Sequence, residues 1–290
     1  MYKEIASNKR KTLLLMAIAV VVLFGFGWAY GQYTGDVAGG LLLAAIFSVG
    51  GNAISYFASD KIALASSGAK QIAKADHPEL YRLVENLSIT AGIPMPRVAI
   101  IVDPAMNAFA TGRNPEHAVI AVTTGLLERL NKTELEGVIA HELSHVRNYD
   151  ILLMTVVVVL IGTIILLADL LRWGGMSGRG DHREGNNAGL VIALVLLIVA
   201  PLIGQLIKLA VSRKREFLAD ASGALLTRYP EGLAAALEKI SEDPIPLKRA
   251  SQATAHLFIS NPFKANQISH LFSTHPPASE RIKRLRGMLS

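Results

Sequence analysis

The amino-acid sequence predicts a mainly α-helical membrane protein with four transmembrane helices and an α+β domain carrying a small sheet. Three observations predict it. Of the 290 residues 51% are hydrophobic and only 18% are charged, and the mean hydropathy is +0.37; soluble domains carry about 25% charge. Four apolar runs, at 13–30, 37–57, 151–171 and 188–211, are each long enough to cross a bilayer. Two segments of soluble character, 58–150 and 212–290, alternate with them.

The first twelve residues hold Lys3, Lys9, Arg10 and Lys11 against one acid, Glu4. The first apolar run follows, then a polar turn at 31–36 and the second run, so residues 1–57 form a transmembrane hairpin. A cleaved signal peptide would be shorter and would not lead at once into a second span. The basic start places the N-terminus in the cytoplasm and returns the chain there near Asp60.

Within 58–150, His77-Pro78 opens a helix to Ala91 with Leu80, Leu83, Val84 and Leu87 on one face. Pro94 and Pro96 mark the connection that follows. Residues 97–103, 107–112 and 117–122 read as three strands. Thr124 caps a short helix over 125–130, and Thr133 with Glu136 forms a capping box for a helix running to Asp150. The third span starts directly after it. A Gly-rich outer loop, 172–187, joins it to the fourth, which Pro201 kinks, so 151–211 form a second hairpin. Arg213, Lys214 and Arg215 suit a cytoplasmic exit. Arg172, Arg179 and Arg183 in the outer loop argue the other way, partly offset by Asp181 and Glu184, and the first hairpin decides the orientation. Residues 212–290 then give helices over 212–228 and 231–241, a broken stretch at 244–273 and a basic terminal helix over 278–288.

The net charge of +6 sits in basic residues beside the apolar runs. That pattern points to the lipid bilayer as a partner and not to nucleic acid, since no basic stripe interleaved with aromatics occurs. There is no cysteine. Disulfides and thiolate metal sites are excluded, and any metal must use His, Asp or Glu.

One such pattern stands out: His141-Glu142-Leu143-Ser144-His145. Histidines four apart on a helix converge on one ion, and the intervening glutamate is placed to act on water at that ion. A zinc hydrolase needs a third protein ligand and an open position. The best candidate is Glu216, in Arg215-Glu216-Phe217-Leu218-Ala219-Asp220, where Asp220 lies one turn on along the same face. A ligand carboxylate with a second carboxylate orienting a ligand histidine is one reading of the pair; two surface acids is the other. His77, His117, His182, His256 and His270 have no companion at ligand spacing and read as helix-end, loop or surface residues.

The sequences HELSH at 141–145 and EFLAD at 216–220, inside a four-span chain, resemble the HtpX family of membrane zinc endopeptidases, related to the CAAX prenyl proteases. The resemblance covers the whole chain, including Thr274-His275-Pro276. It implies a zincin-like catalytic domain on the cytoplasmic face of the cell membrane, both termini cytoplasmic, acting on misfolded or damaged membrane proteins. It implies one Zn2+ per chain held by His141, His145 and Glu216, with Glu142 as general base and Asp220 supporting a ligand histidine. His275 resembles a family histidine near the site, donating to the oxyanion or gating the cleft; the alternative is a loop histidine. Asn107-Ala108-Phe109 resembles the edge strand on which such enzymes hold an extended substrate; the alternative is an ordinary turn. A competing class is a non-catalytic zinc-containing membrane chaperone or scaffold. A narrower version of the chemistry, cleavage of prenylated C-terminal peptides, would be expected to use more spans than four. Because the histidine helix is expected to run straight into the third span, the metal is expected close to the membrane surface.

Overall fold

The computed structural model describes residues 2–162, 212–251, 253–263 and 276–288. The fourth predicted span, the third beyond Gly162, the outer loop and His275 lie outside them.

The chain opens with two long helices, α1 (Tyr2–Thr34) and α2 (Val37–Phe57). Asp36 caps α2, its Oδ1 accepting from the Gly39 amide at 2.8 Å. The two helices cross closely because Gly27 and Gly40 face each other; a Cβ on either would collide with the other's carbonyl oxygen. Both are long and apolar enough to cross a membrane. Leu13, Val21, Leu42 and Val49 stay outward and exposed, as lipid-facing side chains do. Helix α1 begins well before the predicted run, its first turns carrying the basic residues.

A short helix, α3 (Ser59–Ser67), follows and ends at Gly68 in the left-handed region. It was not predicted. The sheet then forms from β1 (Lys70–Gln71), β2 (Arg97–Ile101), β3 (Ala108–Thr111) and β4 (Val119–Thr123) in the order β1-β2-β4-β3. β2 and β4 run parallel with Arg97 opposite Val119, whereas β3 is antiparallel to β4 with Ala108 opposite Val122. Two expectations shift here. The sheet has four strands, the fourth being a polar pair of residues too short to show a period. The stretch at 117–122 starts as a 3₁₀ turn, Pro115–His117, before β4.

Every residue of β4 is buried, as in a strand covered on both faces. Its alternate side chains divide between two cores. Ile120 and Val122 join Val98, Ala108 and Ala110 against α4 (Pro78–Ala91) and the helices named below. Val119 and Ala121 join Ala99, Ile101 and Phe109 against Ala63 of α3 and the segment Leu247 to Phe258.

Helix α5 (Thr124–Arg129) is capped by Thr123, one residue earlier than predicted. Helix α6 (Lys132–Arg147) carries the paired histidines. Its capping box is Asn131 with Glu134 rather than Thr133 with Glu136: the Asn131 side chain accepts from the Glu134 amide at 3.0 Å, and Glu134 Oε2 accepts from the Asn131 amide at 2.8 Å. Lys239 bonds the same Glu134 at 2.8 Å, which favours this frame.

Helix α6 does not continue into the next apolar run. Tyr149 adopts φ 59°, and α7, described over Asp150–Gly162, leaves at 81° to α6. Leu152, Leu153, Val156, Val157, Leu160 and Ile161 of α7 are buried together with Leu15 of α1. Counted with this bent pair the described residues hold up to three candidate spans, and two without it. Three further helices follow among the described residues: α8 (Arg213–Thr227), α9 (Pro230–Glu242) and α10 (Ala278–Arg286). α8 and α9 both pack on α6, and α10 packs on α9 and α8. The two soluble segments therefore make one unit although the chain divides them.

Candidate active site

The site grows from one face of α6. Val138, Ile139, Leu143 and Val146 are fully buried in the main core and fix the helix. That leaves His141 and His145 on the side that α8 covers. Along α8 the residues at positions 216, 220 and 223 share a face. Gly223 lets the helices meet: a Cβ there would lie 3.0 Å from the His141 amide nitrogen and 3.2 Å from the Ala140 carbonyl carbon. The close approach delivers Glu216 and Asp220 to the histidines.

The two Nε2 atoms face each other at 3.2 Å, with the rings perpendicular. Glu216 reaches both, Oε2 to His141 Nε2 at 3.7 Å and Oε1 to His145 Nε2 at 3.6 Å. All three residues are buried, and their ligand-type atoms lie within 4.8 Å of one another. Tetrahedral ligands about 2.0–2.1 Å from a zinc ion stand roughly 3.3 Å apart. The spacing here is close to that value, and the donors are two imidazoles and a carboxylate, so the residues present fit a divalent metal ion.

Each histidine is held from behind. Asp220 Oδ1 lies 3.0 Å from His141 Nδ1, and Asp150 Oδ2 lies 3.0 Å from His145 Nδ1. Such bonds fix the ring and turn Nε2 toward the metal position. Asp220 is itself gripped by Arg281 of α10, Nε to Oδ2 at 2.9 Å and Nη2 to Oδ1 at 2.7 Å. Arg281 is fully buried, and its Nη1 also donates to the Ile259 carbonyl at 3.3 Å.

The electrostatics follow from burial opposed by these pairs. Burial alone would raise the Asp220 carboxyl, but the Arg281 guanidinium and His141 hold it well below the usual carboxylate range. Burial would lower His145, yet Glu216, Asp150 and Glu142 outweigh it and raise its pKa to about 9. A metal ion held by His145 would take the place of that proton. Burial pushes the Glu142 carboxyl up, His141 and His145 pull it partly back, and Glu216 adds to the rise. A carboxylate with a raised pKa is a stronger base.

The structure brings His141, Glu142, His145, Glu216 and Asp220 together. Asn107, Ala108 and Phe109 belong to the outer edge of the sheet, where β3 lies. That edge is already engaged: Ile259 donates to the Ala108 carbonyl at 2.9 Å, the Asn107 side chain donates to the Ser260 carbonyl at 3.0 Å, and Phe109 stacks edge-on against Phe258. The edge expected for substrate is thus paired at Ala108 by the chain itself. His256, read as a surface or loop residue, is instead buried and bonds the Met154 carbonyl through Nε2 at 3.0 Å.

Two site residues escaped the sequence. Asp150 sits five positions after His145, a spacing that separates side chains on an unbroken helix, and only the break at Tyr149 brings it back. Arg281 looked like one of many basic residues in the last helix. Its signal was position: with Ile282 and Leu285 it lies on the stripe that faces the core.

Residues 74–289 match the model of Peptidase family M48. A protein named Protease HtpX homolog from Tropheryma whipplei (strain Twist) is 47% identical over 293 residues, covering 99% of this chain and 98% of its own. Another of that name, from Thermoanaerobacter pseudethanolicus (strain ATCC 33223 / 39E), is 49% identical over 295 residues with the same coverages. Among solved structures, the crystal structure of S. mikatae Ste24p matches with TM-score 0.53 at 18% identity, over 98% of this chain and 67% of that one, a likeness of fold. Most of the chain lies inside one family's pattern, its relatives match it over nearly its whole length, and the chain itself holds a buried His-His-Glu group; the chain belongs to peptidase family M48 and is a membrane metalloprotease.

Proposed function

We propose that the chain is a zinc endopeptidase of the cell membrane that hydrolyses misfolded or damaged membrane proteins, with its catalytic segments and both termini cytoplasmic. The observation that carries the reading is the buried His141, His145 and Glu216 group with Glu142, also buried, directly after His141. In this reading those three residues hold Zn2+, which when bound supplies Lewis acidity toward the scissile carbonyl and toward water.

The remaining chemistry belongs to the chain's own residues. Glu142 projects about 100° around α6 from His141, so it does not share the ligands' direction. From there it takes a proton from the attacking water and returns it to the leaving amine, so that one water is consumed and one amine and one carboxylate are released. Asp220 and Asp150 sit against the Nδ1 atoms of His141 and His145 and hold both rings with Nε2 turned toward the metal position. The exclusion of bulk water by the surrounding buried residues strengthens each of these interactions. The basic first turns of α1 and the lipid-suited faces of α1 and α2 support the membrane placement and the cytoplasmic start.

The test compares wild type with Glu142→Gln, each purified full-length, for zinc content and for cleavage of an unfolded membrane protein. Both should hold one zinc, while the variant loses about 10²–10⁴-fold in hydrolysis. Full activity in the variant overturns the assignment.

A further inference from the structure

The first membrane helix does more than anchor the chain. Asn8 of α1 is buried at 1% exposure, and it reaches Asn148, 140 positions along the chain and just past the histidine motif. Its side-chain amide donates to Asp150 Oδ1 at 2.6 Å and to the Asn148 carbonyl at 3.0 Å. Its side-chain oxygen accepts from Arg215 Nη1 at 3.3 Å. Arg215, the neighbour of Glu216, stands 3.8 Å from the same Asp150 oxygen through Nε. The other oxygen of Asp150 is the one against His145.

Asp150 is thus divided between two tasks. One oxygen orients His145, and the other is clamped by Asn8 and Arg215. A carboxylate held at only one oxygen can swing about its Cβ–Cγ bond; clamping the second removes that freedom and fixes the imidazole. A buried amide is costly unless it is bonded. The Asn8 side chain bonds the break between α6 and α7 and, through Arg215, α8. Thr12, one turn on, donates to the Asn8 carbonyl at 2.9 Å. The Lys9 ammonium lies 4.3 Å from the ring of Tyr149, the left-handed residue of the break.

We propose that Asn8 is a positioning residue of the metal site, acting through Asp150 on His145, so that docking of the first membrane helix tightens the hold on the metal. The proposal rests on the zinc-protease reading above. It makes the metal site complete only when α1 is seated, and it ties the metal's retention to the state of the membrane anchor.

The experiment measures zinc affinity of the full-length chain in detergent by competition with a chromogenic chelator. Asn8→Ala should weaken zinc binding about three- to tenfold, and Asp150→Asn about 10–100-fold. The double variant should be no weaker than Asp150→Asn alone, since Asn8 acts through it. Leu247→Ala, buried in the second core away from α1 and outside the network, serves as the control; it should lower the unfolding temperature and leave zinc affinity unchanged. Wild-type affinity in Asn8→Ala overturns the proposal, as does an equal loss in Leu247→Ala or additive losses in the double variant. A wild-type chain that binds no stoichiometric zinc overturns the protease reading itself, a different result from a zinc-bound chain indifferent to Asn8.

Discussion

Replacing Arg281 with Met tests whether the terminal helix holds the site together. The Met stem fills most of the volume of the arginine stem, so the main loss is the guanidinium. That group bonds both oxygens of Asp220, at 2.9 and 2.7 Å, and the Ile259 carbonyl at 3.3 Å. Removing one partner of a buried ion pair costs about 3–5 kcal/mol, because the other charge stays buried and uncompensated. The orphaned Ile259 carbonyl adds about 1–3 kcal/mol. Asp220, held low by Arg281 against burial, should rise in pKa and loosen its grip on His141. Zinc affinity should then fall about 10–100-fold, roughly 1.4–2.7 kcal/mol. Adding Asp220→Asn removes the stranded charge; stability should recover by about 2 kcal/mol, but zinc affinity should not. Denaturant unfolding of the metal-free chain in detergent, with zinc competition on the same samples, reads both quantities. An Arg281→Met chain as stable as wild type, with undiminished zinc affinity, refutes the reasoning.

Two further outcomes follow from the same geometry. Gly223→Val should drive α8 away from the His141 backbone, which a Cβ already approaches to 3.0 Å, costing about 1–3 kcal/mol and lowering zinc content measured by elemental analysis. His256 is depressed to about 4, first by burial and then by Arg215, against its bond to Met154. Its folded pKa lies below the unfolded value near 6.5, so the unfolded chain takes the proton first as pH falls. The stability it contributes is whole above pH 6.5 and is lost toward pH 4, by up to about 3 kcal/mol. Unfolding at pH 7.5 and pH 5 should show a loss that His256→Gln reduces.

The features legible in the sequence were those carried by local spacing. Two histidines at i and i+4, an acid pair one turn apart at Glu216 and Asp220, and two apolar runs near the N-terminus each declare themselves within a single element. Strands β2 to β4 were visible for the same reason, as short apolar runs bounded by turn residues. What escaped depends on contact between elements. Arg281 is chemically identical to the exposed basic residues around it, and only the packing of α10 makes it a core residue. Asn8 lies beside Lys9 and Arg10, in a stretch whose charge is the obvious message, and its partners are far away along the chain. The capping box was displaced by two residues because Asn131-x-x-Glu134 and Thr133-x-x-Glu136 both satisfy the local rule, and a tertiary bond from Lys239 favours the first.

The break after α6 changes the argument about where the metal lies. A straight helix through residues 133–150 would place the site in line with the span, and its distance from the membrane would depend on helix length alone. On such a helix Asp150 would also point about 140° away from His145 and could not orient it. With α7 turned by 81°, α6 instead lies across the direction of α7. The break then sits against the first turns of α1, where Lys9 meets Tyr149 and Asn8 meets Asp150. Those turns hold the basic residues Lys9, Arg10 and Lys11 that precede the apolar run of α1. The site is therefore set beside the first turns of α1 by side chains of that helix, not by the continuity of the histidine helix. A left-handed Tyr149 costs about 1 kcal/mol or more. The bend it permits brings a ligand-orienting carboxylate and a membrane helix to the same point, which an unbroken helix could not do.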